Sequence, residues 1–226
     1  MADSLKYDRE AQAEIGKPYS VFAKIYSLIP EGINVLDVGC HTGKFGAVLK
    51  QKGCRVTGIE INAAAAEQAR RILDDVQIAD VEAVGTFDES NEKYDAILFL
   101  DVLEHCHWPA EILKRARQLL APEGFVIASI PNIANWSMRL NLFLGRFEYE
   151  PIGLMDETHL RFYTIKTARK LFETAGYKIE LVDHRFSLPV FKIRNFFGGT
   201  LAKILGNLFP GMFSYQMVIK ARPVIP

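Results

Sequence analysis

A glycine bend follows the first strongly apolar run of the chain. The run 33–38 ends at Gly39, Gly43 follows four positions later, and a helical pattern begins near Lys44. A strand, a tight turn and a helix N-terminus in this order let a ligand lie against the backbone at the carboxyl edge of a parallel sheet. The bend therefore predicts a small-molecule site, although a simple tight turn closing a βα unit is the plainer interpretation.

Acidic side chains accompany the successive strands that the sequence predicts. Glu60 ends the second strand 21 positions after Gly39, near the spacing at which nucleotide-binding units place an acceptor for ribose hydroxyls. Asp80 ends the third strand, Asp101 ends the fourth, and Asp37 lies inside the first. This row of carboxylates suits a cationic, adenosine-bearing ligand better than a pyrophosphate, which requires amides and cations.

The bend departs from two common phosphate-binding loops. Gly39, Gly43 and Gly46 do not complete a GxGxxG pattern, because His41 stands where a dinucleotide site has glycine. The sequence also lacks GxxxxGK[ST]. The pattern therefore favours neither a dinucleotide nor a nucleoside triphosphate.

The elements that must position these residues alternate between strand and helix. Expected strands cover 33–38, 55–60, 75–79, 94–100, 125–130, 177–183 and 215–220, and expected helices cover 18–29, 44–52, 62–73, 109–120 and 164–176. The alternation predicts an α/β fold, a doubly wound and mostly parallel sheet with helices on both faces. We expect one domain over 1–226, with an N-terminal helix at 18–29, a lid insertion at 131–163 and an apolar, basic insertion at 186–213.

From about residue 18 onward the chain resembles the class I S-adenosylmethionine-dependent methyltransferases. The segment 35–43 matches the first motif of that family, which usually has glycine in the place of His41. The resemblance implies a seven-stranded sheet in the order 3-2-1-4-5-7-6 with the last strand antiparallel. It also implies S-adenosylmethionine as methyl donor and S-adenosylhomocysteine as product.

The resemblance assigns roles to the residues around the bend. Gly39 and Gly43 border the methionine part, Glu60 takes the ribose hydroxyls, Ile61 packs on adenine, and Asp80 binds the adenine amino group. The expected cofactor-binding set is completed by Asp37, Cys40, His41, Val81 and Asp101.

A second polar group follows the fourth predicted strand. The segment 101–105 resembles two metal-assisted subgroups of the family, the ubiquinone-pathway and small-RNA O-methyltransferases, in which an acid, a Glu-His pair and a later His bind a divalent cation. Here Asp101, Glu104, His105 and His159 are the candidate ligands, and the last three the candidate catalytic residues. Without a metal, Glu104 can orient His105 as general base for the acceptor. A third interpretation is structural: Glu104 and His105 begin the helix and hydrogen-bond the loop.

The acceptor is indicated by the expected lid. The segment 155–164 resembles bacterial methyltransferases associated with cell-surface polysaccharide synthesis, which implies a hydroxyl of a glycan or glycan precursor. Arg139 and Arg161 can meet its anionic groups. The alternatives are a quinone or small phenolic acceptor and, from another class, a non-catalytic module that binds the nucleoside and docks through its apolar tail.

Composition and charge limit the kinds of partner that we expect for the chain. The formal net charge is zero, so nucleic acid is not expected. Cys40, Cys54 and Cys106 form no CxxC pair, which favours reduced thiols and a cytoplasmic protein. The insertion 186–213 combines apolar and basic residues, so it can contact the inner membrane surface, a second copy of the chain, or its own domain.

Overall fold

A computed structural model describes residues 20–87, 92–186, 204 and 206–224. Seven strands among these residues form a single sheet in the order β3-β2-β1-β4-β5-β7-β6. In chain order they are β1 (Asn34–Val38), β2 (Arg55–Glu60), β3 (Asp75–Ile78), β4 (Tyr94–Leu100), β5 (Leu120–Pro131), β6 (Tyr177–Phe186) and β7 (Ser214–Pro223). The predicted order is therefore confirmed.

The sheet is parallel from β3 through β5 and antiparallel at its far edge. β1 lies between β2 and β4, so Asp37 pairs with Gly58 on one side and with Leu98 on the other. β7 runs antiparallel to both β5 and β6. The carboxyl ends of β1, β2 and β4 consequently meet at one edge, where open α/β sheets bind ligands.

The helices are α1 (Val21–Leu28), α2 (Lys44–Gln51), α3 (Ala63–Ala69), α4 (Pro109–Ala116), α5 (Trp136–Phe143), α6 (Ile165–Thr174) and α7 (Pro210–Phe213). Two expected helix starts are confirmed by side-chain caps. Asn62 accepts from the first amides of α3, and Thr164 forms a capping box with Thr167 at α6. Each cap satisfies amides that have no partner within the helix, which stabilises it by about 1 kcal/mol.

The core lies on both faces of the sheet. Leu36 and Val38 face a cluster that includes side chains of α4 and α6, whereas Val35 faces a second cluster with side chains of α1, α2 and α3. Burial on both faces explains why these strands are nearly continuous apolar runs. Full burial of such side chains contributes about 1.5–3 kcal/mol each.

Some element bounds differ from the sequence-based expectation. The strand expected at 125–130 is longer, because β5 begins at Leu120 with a register shift against β4. A Cβ on Gly124 would lie 2.9 Å from two backbone carbonyls, so the absence of a side chain permits this irregular pairing. α3 ends at Ala69 rather than near Leu73, and α4 gives way to a 3-10 turn (Arg117–Leu119).

The two insertions differ in how much the structure describes. The insertion 131–163 contains α5 and a small core of its own, in which Met138 packs with Leu154 and Met155. Most of 186–213 lies outside the described residues, and with it most of the segment for which membrane or subunit contact is expected. In the described part of the chain, no helix combines the length and apolar content needed to cross a membrane.

Candidate active site

The bend after β1 is held by the end of β2. The amides of Gly39 and Cys40 both donate to the carbonyl of Ile59, at 2.8 and 3.1 Å. Gly39 has a φ of 74°, and a Cβ there would lie 2.6 Å from Cγ2 of Val102. Glycine is therefore required both by the backbone conformation and by the close approach of the loop after β4.

Glu60 is buried at the end of β2 with its carboxylate fixed by two amides. The amide of His41 donates to Oε2 at 2.9 Å, and the amide of Asn62 donates to Oε1 at 2.8 Å. A carboxylate offers about four lone-pair sites. Two bonds to amides thus orient the group and leave acceptor capacity for hydroxyl donors.

Asp37 lies one strand inward from Glu60 and is buried. Burial raises the pKa of Asp37 to about 7, and the negative charge of Glu60 adds to the rise. Two neighbouring carboxylates at a buried strand edge make the site favourable for a cation.

A cleft of about 540 Å³ opens at this edge, a volume within the usual range for small-molecule sites. Nine of the ten residues expected to bind the cofactor line it, namely Asp37, Gly39, Cys40, His41, Glu60, Ile61, Asp80, Val81 and Asp101. The sequence-based assignment thus identifies a single concave surface. Ile61 offers a largely exposed apolar side chain there, 66% accessible.

Gly43, the tenth residue, is outside the lining. It caps α2 with a φ of 77°, and a Cβ at this position would lie 3.1 Å from Cα of Ala69. Its glycine is therefore explained by the helix start and by the close packing of α2 against α3.

Several lining residues were missed by sequence reasoning. Phe22 of α1 reaches the cleft and packs against Phe45 of α2, with ring centroids 5.3 Å apart. Thr158 reaches it from the lid insertion. The helical pattern placed Phe22 on a helix, but only the packing of α1 over the sheet edge brings the ring to the cleft.

Asp101 lines the cleft but does not join the expected metal group. Its backbone has a φ of 56°. Its Oδ1 accepts from the hydroxyl of Ser129 at 2.8 Å and from the amide nitrogen of Gln216. These bonds tie the carboxylate to β5 and β7, and the candidate ligand atoms that converge most closely among the described residues belong to the other three residues.

Glu104, His105 and His159 each offer one donor atom, and the three atoms lie within 4.8 Å of one another. Glu104 belongs to a 3-10 turn (Leu103–His105) and is only 1% exposed. Neither of its carboxylate oxygens receives a hydrogen bond from the described residues. Burial raises the pKa of Glu104 well above its usual range, and the charges of Asp101 and Asp156 add to the rise.

His105 connects this cluster to the cleft, which it lines. Its ring lies edge-on to that of His159, with centroids 4.8 Å apart. Nδ1 of His105 lies 3.1 Å from the carbonyl oxygen of Thr158, and the Glu104 carboxylate receives no hydrogen bond from the described residues.

The lid insertion is attached to the turn after β4 by backbone hydrogen bonds. The amides of Leu160 and Arg161 both donate to the carbonyl of Glu104 at 2.9 Å. The Arg161 guanidinium also donates to the carbonyl of His107 at 2.8 Å. These bonds bring His159, more than 50 positions away in sequence, beside His105.

The sheet order, with β7 antiparallel and a carboxylate-lined cleft at the ends of β1, β2 and β4, defines the class I S-adenosylmethionine-dependent methyltransferase fold. The chain belongs to the family described as "Methyltransferase domain", because the model of that family matches residues 7–182. The chain therefore carries a methyltransferase domain, and S-adenosylmethionine is the cofactor of this class.

Curated relatives match a shorter region. A ubiquinone biosynthesis O-methyltransferase from Alkalilimnicola ehrlichii is 35% identical over 108 residues, which cover 45% of this chain and 43% of that protein. One of the same name from Paracidovorax citrulli is 31% identical over 107 residues, 45% of each chain. The chain thus matches less than half the length of these relatives.

Solved structures share the fold over nearly the whole chain. A S-adenosylmethionine-dependent methyltransferase from Archaeoglobus fulgidus superposes with a TM-score of 0.67 at 16% identity, covering 97% of both chains. A possible histamine N-methyltransferase from Thermotoga maritima gives 0.64 at 18% identity, covering 97% of this chain and 92% of that one. At these identities the likeness establishes the architecture.

Proposed function

We propose that the protein binds S-adenosylmethionine in this cleft and transfers its methyl group to a hydroxyl of a small acceptor. The observation that carries the proposal is the convergence of Glu104, His105 and His159 within 4.8 Å, with His105 lining the cleft. A polar cluster beside a cofactor cleft is where an acceptor hydroxyl would meet a proton acceptor or a cation.

The lining of the cleft supports the cofactor roles that the family resemblance implies. Glu60, fixed by two amides, accepts from the ribose hydroxyls. Asp80 accepts from the adenine amino group and Ile61 covers the ring, and both are exposed in the cleft. The neighbouring carboxylates favour the sulfonium charge.

The cluster also fits a divalent cation. One carboxylate and two imidazoles are a suitable donor set for a borderline ion, and the buried Glu104 carboxylate has no hydrogen-bond donor among the described residues. Such an ion would lower the pKa of the acceptor hydroxyl. Without an ion, the burial that raises the pKa of Glu104 makes its carboxylate a stronger base toward the acceptor hydroxyl.

The lid insertion supplies positioning. Thr158 lines the cleft, and the backbone bonds to Glu104 fix the insertion next to the cluster. Holding the hydroxyl and the methyl group in line is the main requirement for transfer from an activated sulfonium, and good orientation contributes about 7 kcal/mol or more.

Two acceptor classes are supported by different observations. The segment 155–164, with exposed Arg161 beside the cluster, supports a glycan or glycan precursor. The relatives' name, ubiquinone biosynthesis O-methyltransferase, supports a quinone precursor or small phenol. Transfer of a radiolabelled methyl group to each class, compared between the wild type and Glu104→Gln, tests the proposal. Equal product from both proteins would contradict the role of the cluster.

Membrane contact through 186–213 is a further part of the proposal, for a cytoplasmic protein at the inner membrane surface. The described part of this insertion exposes Ile204, Leu208, Phe209 and Met212. Sedimentation with anionic liposomes at low salt tests it, and the protein should appear in the pellet. Sedimentation equilibrium without lipid tests the alternative, self-association through the same insertion.

A further inference from the structure

Thr158 makes two contacts with one nitrogen of His105. Nδ1 of the imidazole lies 3.1 Å from the carbonyl oxygen of Thr158 and 3.1 Å from its hydroxyl oxygen. A carbonyl oxygen can only accept a hydrogen bond. The carbonyl contact therefore requires a proton on Nδ1. The hydroxyl contact agrees with this only if the hydroxyl oxygen accepts from the same nitrogen.

Asp156 determines the direction of the hydroxyl contact. The hydroxyl of Thr158 lies 2.6 Å from Oδ1 of Asp156, within the range of a charge-assisted O–H···O⁻ bond. The Thr158 amide donates to the same oxygen at 2.9 Å. Because a hydroxyl has a single proton and Asp156 accepts it, the hydroxyl oxygen can face His105 only as an acceptor.

We propose that Thr158, held by Asp156, is a positioning residue that keeps the proton of neutral His105 on Nδ1. The lone pair of the ring then resides on Nε2, the nitrogen that can bind a cation or take the acceptor proton. This functional consequence rests on the proposed function, whereas the tautomer rests only on the contacts of Thr158.

The same turn positions the second imidazole. The amide of His159 donates to the carbonyl of Asp156 at 3.0 Å, and Nδ1 of His159 lies 3.4 Å from the carbonyl of Leu154. Asp156 is itself buried. The acid-x-Thr-His segment 156–159 thus holds both histidines of the cluster in place. It contacts the ring of His105 through Thr158 and fixes His159 through its own backbone.

The tautomer can be measured directly by nitrogen NMR on the full chain labelled with ¹⁵N-histidine. The pH is raised until the His105 signals no longer change, so that the spectrum reports the neutral ring. His105 is assigned by the signals that disappear in His105→Gln. We expect a protonated Nδ1 and an unprotonated Nε2 in the wild type. A proton on Nε2 would overturn the inference even if no variant folds.

Two variants test the part played by the Thr158 hydroxyl. Thr158→Val keeps the shape and the backbone carbonyl but removes the hydroxyl acceptor, so we expect a larger fraction of rings with the proton on Nε2 than in the wild type. Thr158→Ser is the matched control and should retain the wild-type spectrum. Identical tautomer populations in the two variants would show that the hydroxyl has no role and overturn the proposal.

Turnover gives a second readout. Removal of a partner that orients a histidine typically costs 10-fold to 100-fold, so kcat should fall by that factor in Thr158→Val and recover in Thr158→Ser. The KM for S-adenosylmethionine should stay within about twofold. The spectrum is recorded without turnover, so a wrong tautomer contradicts this inference, whereas absence of methyl transfer to any hydroxyl contradicts the proposed function.

Discussion

The backbone amide of His41 donates a 2.9 Å hydrogen bond to Oε2 of Glu60 and thereby joins the bend after β1 to the last residue of β2. His41 has a φ of 48°, in the left-handed region. The corresponding position in the first motif of the family is usually glycine, and the backbone conformation explains why glycine suits it. What the bend requires at this position is thus a backbone conformation and an amide donor.

This relationship predicts the effect of two substitutions at position 41. Left-handed backbone costs about 1–2 kcal/mol in residues with a Cβ. His41→Gly should therefore exceed His41→Ala in free energy of unfolding by about 1 kcal/mol, measured by urea denaturation. Both variants lose the imidazole, so the comparison isolates the backbone. An alanine variant as stable as the glycine variant would contradict the assigned strain.

Replacement of Glu60 should weaken cofactor binding. Glu60→Ala removes the proposed acceptor of the ribose hydroxyls, which would then be buried without a partner, and this should cost about 1–3 kcal/mol of binding free energy. Calorimetric titration with S-adenosylhomocysteine measures the loss. Glu67→Gln, an exposed change on α3, is the matched control and should bind like the wild type. An unchanged affinity in Glu60→Ala would remove Glu60 from the site.

Asp37 predicts a pH dependence of stability. Its pKa is raised from 3.8 to about 7 in the folded state, so between these values the folded protein holds a proton that the unfolded chain has lost. The wild type should therefore lose stability through this group as the pH rises from about 4 to about 7, by up to about 4 kcal/mol. Asp37→Asn lacks this loss.

A comparison of the wild type with Asp37→Asn isolates the contribution of the Asp37 carboxyl group to stability. The difference in unfolding free energy, Asp37→Asn minus wild type, should increase from pH about 4 to about 7 and stay constant above. Thermal and urea unfolding of both proteins without cofactor give the difference. Parallel stability profiles across that range would show that the pKa of Asp37 is not raised.

Glu104 should contribute to activity at the expense of stability. A buried carboxylate without a hydrogen-bond donor destabilises the fold, so Glu104→Gln should raise the melting temperature at neutral pH. Methyl transfer should fall by about 10²-fold to 10⁴-fold if Glu104 is the proton acceptor. The exposed change Glu111→Gln on α4 should alter neither property. A less stable Glu104→Gln with full activity would contradict both assignments.

Chelation separates the two chemistries proposed for the cluster. If a divalent cation is held there, exhaustive EDTA treatment should abolish transfer and added divalent ions should restore it. His159→Gln should then lower the affinity for the restoring ion. Full activity after chelation would eliminate the cation and leave proton transfer by Glu104 or His105.

The sequence was most informative where local physics decides the structure. The bounds of β2 and β4 match the expectation because burial on both sheet faces produces continuous apolar runs. The start of α3 matches because Asn62 caps it through its own side chain. The cleft lining was predictable because parallel strands end at one edge, so that Asp37, Glu60 and Asp101 were expected to converge.

Tertiary contacts decided the rest. Asp101 was expected in the metal group, but Gln216, more than 100 positions away on β7, binds its carboxylate. The contact between Thr158 and His105 could not be predicted from the sequence. It depends on the hydrogen bonds from the amides of Leu160 and Arg161 to Glu104, which bring residues 155–164 next to the turn after β4. Such long-range pairings have no local pattern from which they can be predicted.

Calorimetric titration of the full chain with S-adenosylmethionine tests the central claim most directly. The account predicts saturable heat with one site per chain, accompanied by a rise in melting temperature, and a weaker response in Glu60→Ala. Absence of heat and of any thermal shift with S-adenosylmethionine or S-adenosylhomocysteine would contradict the assignment of the cleft.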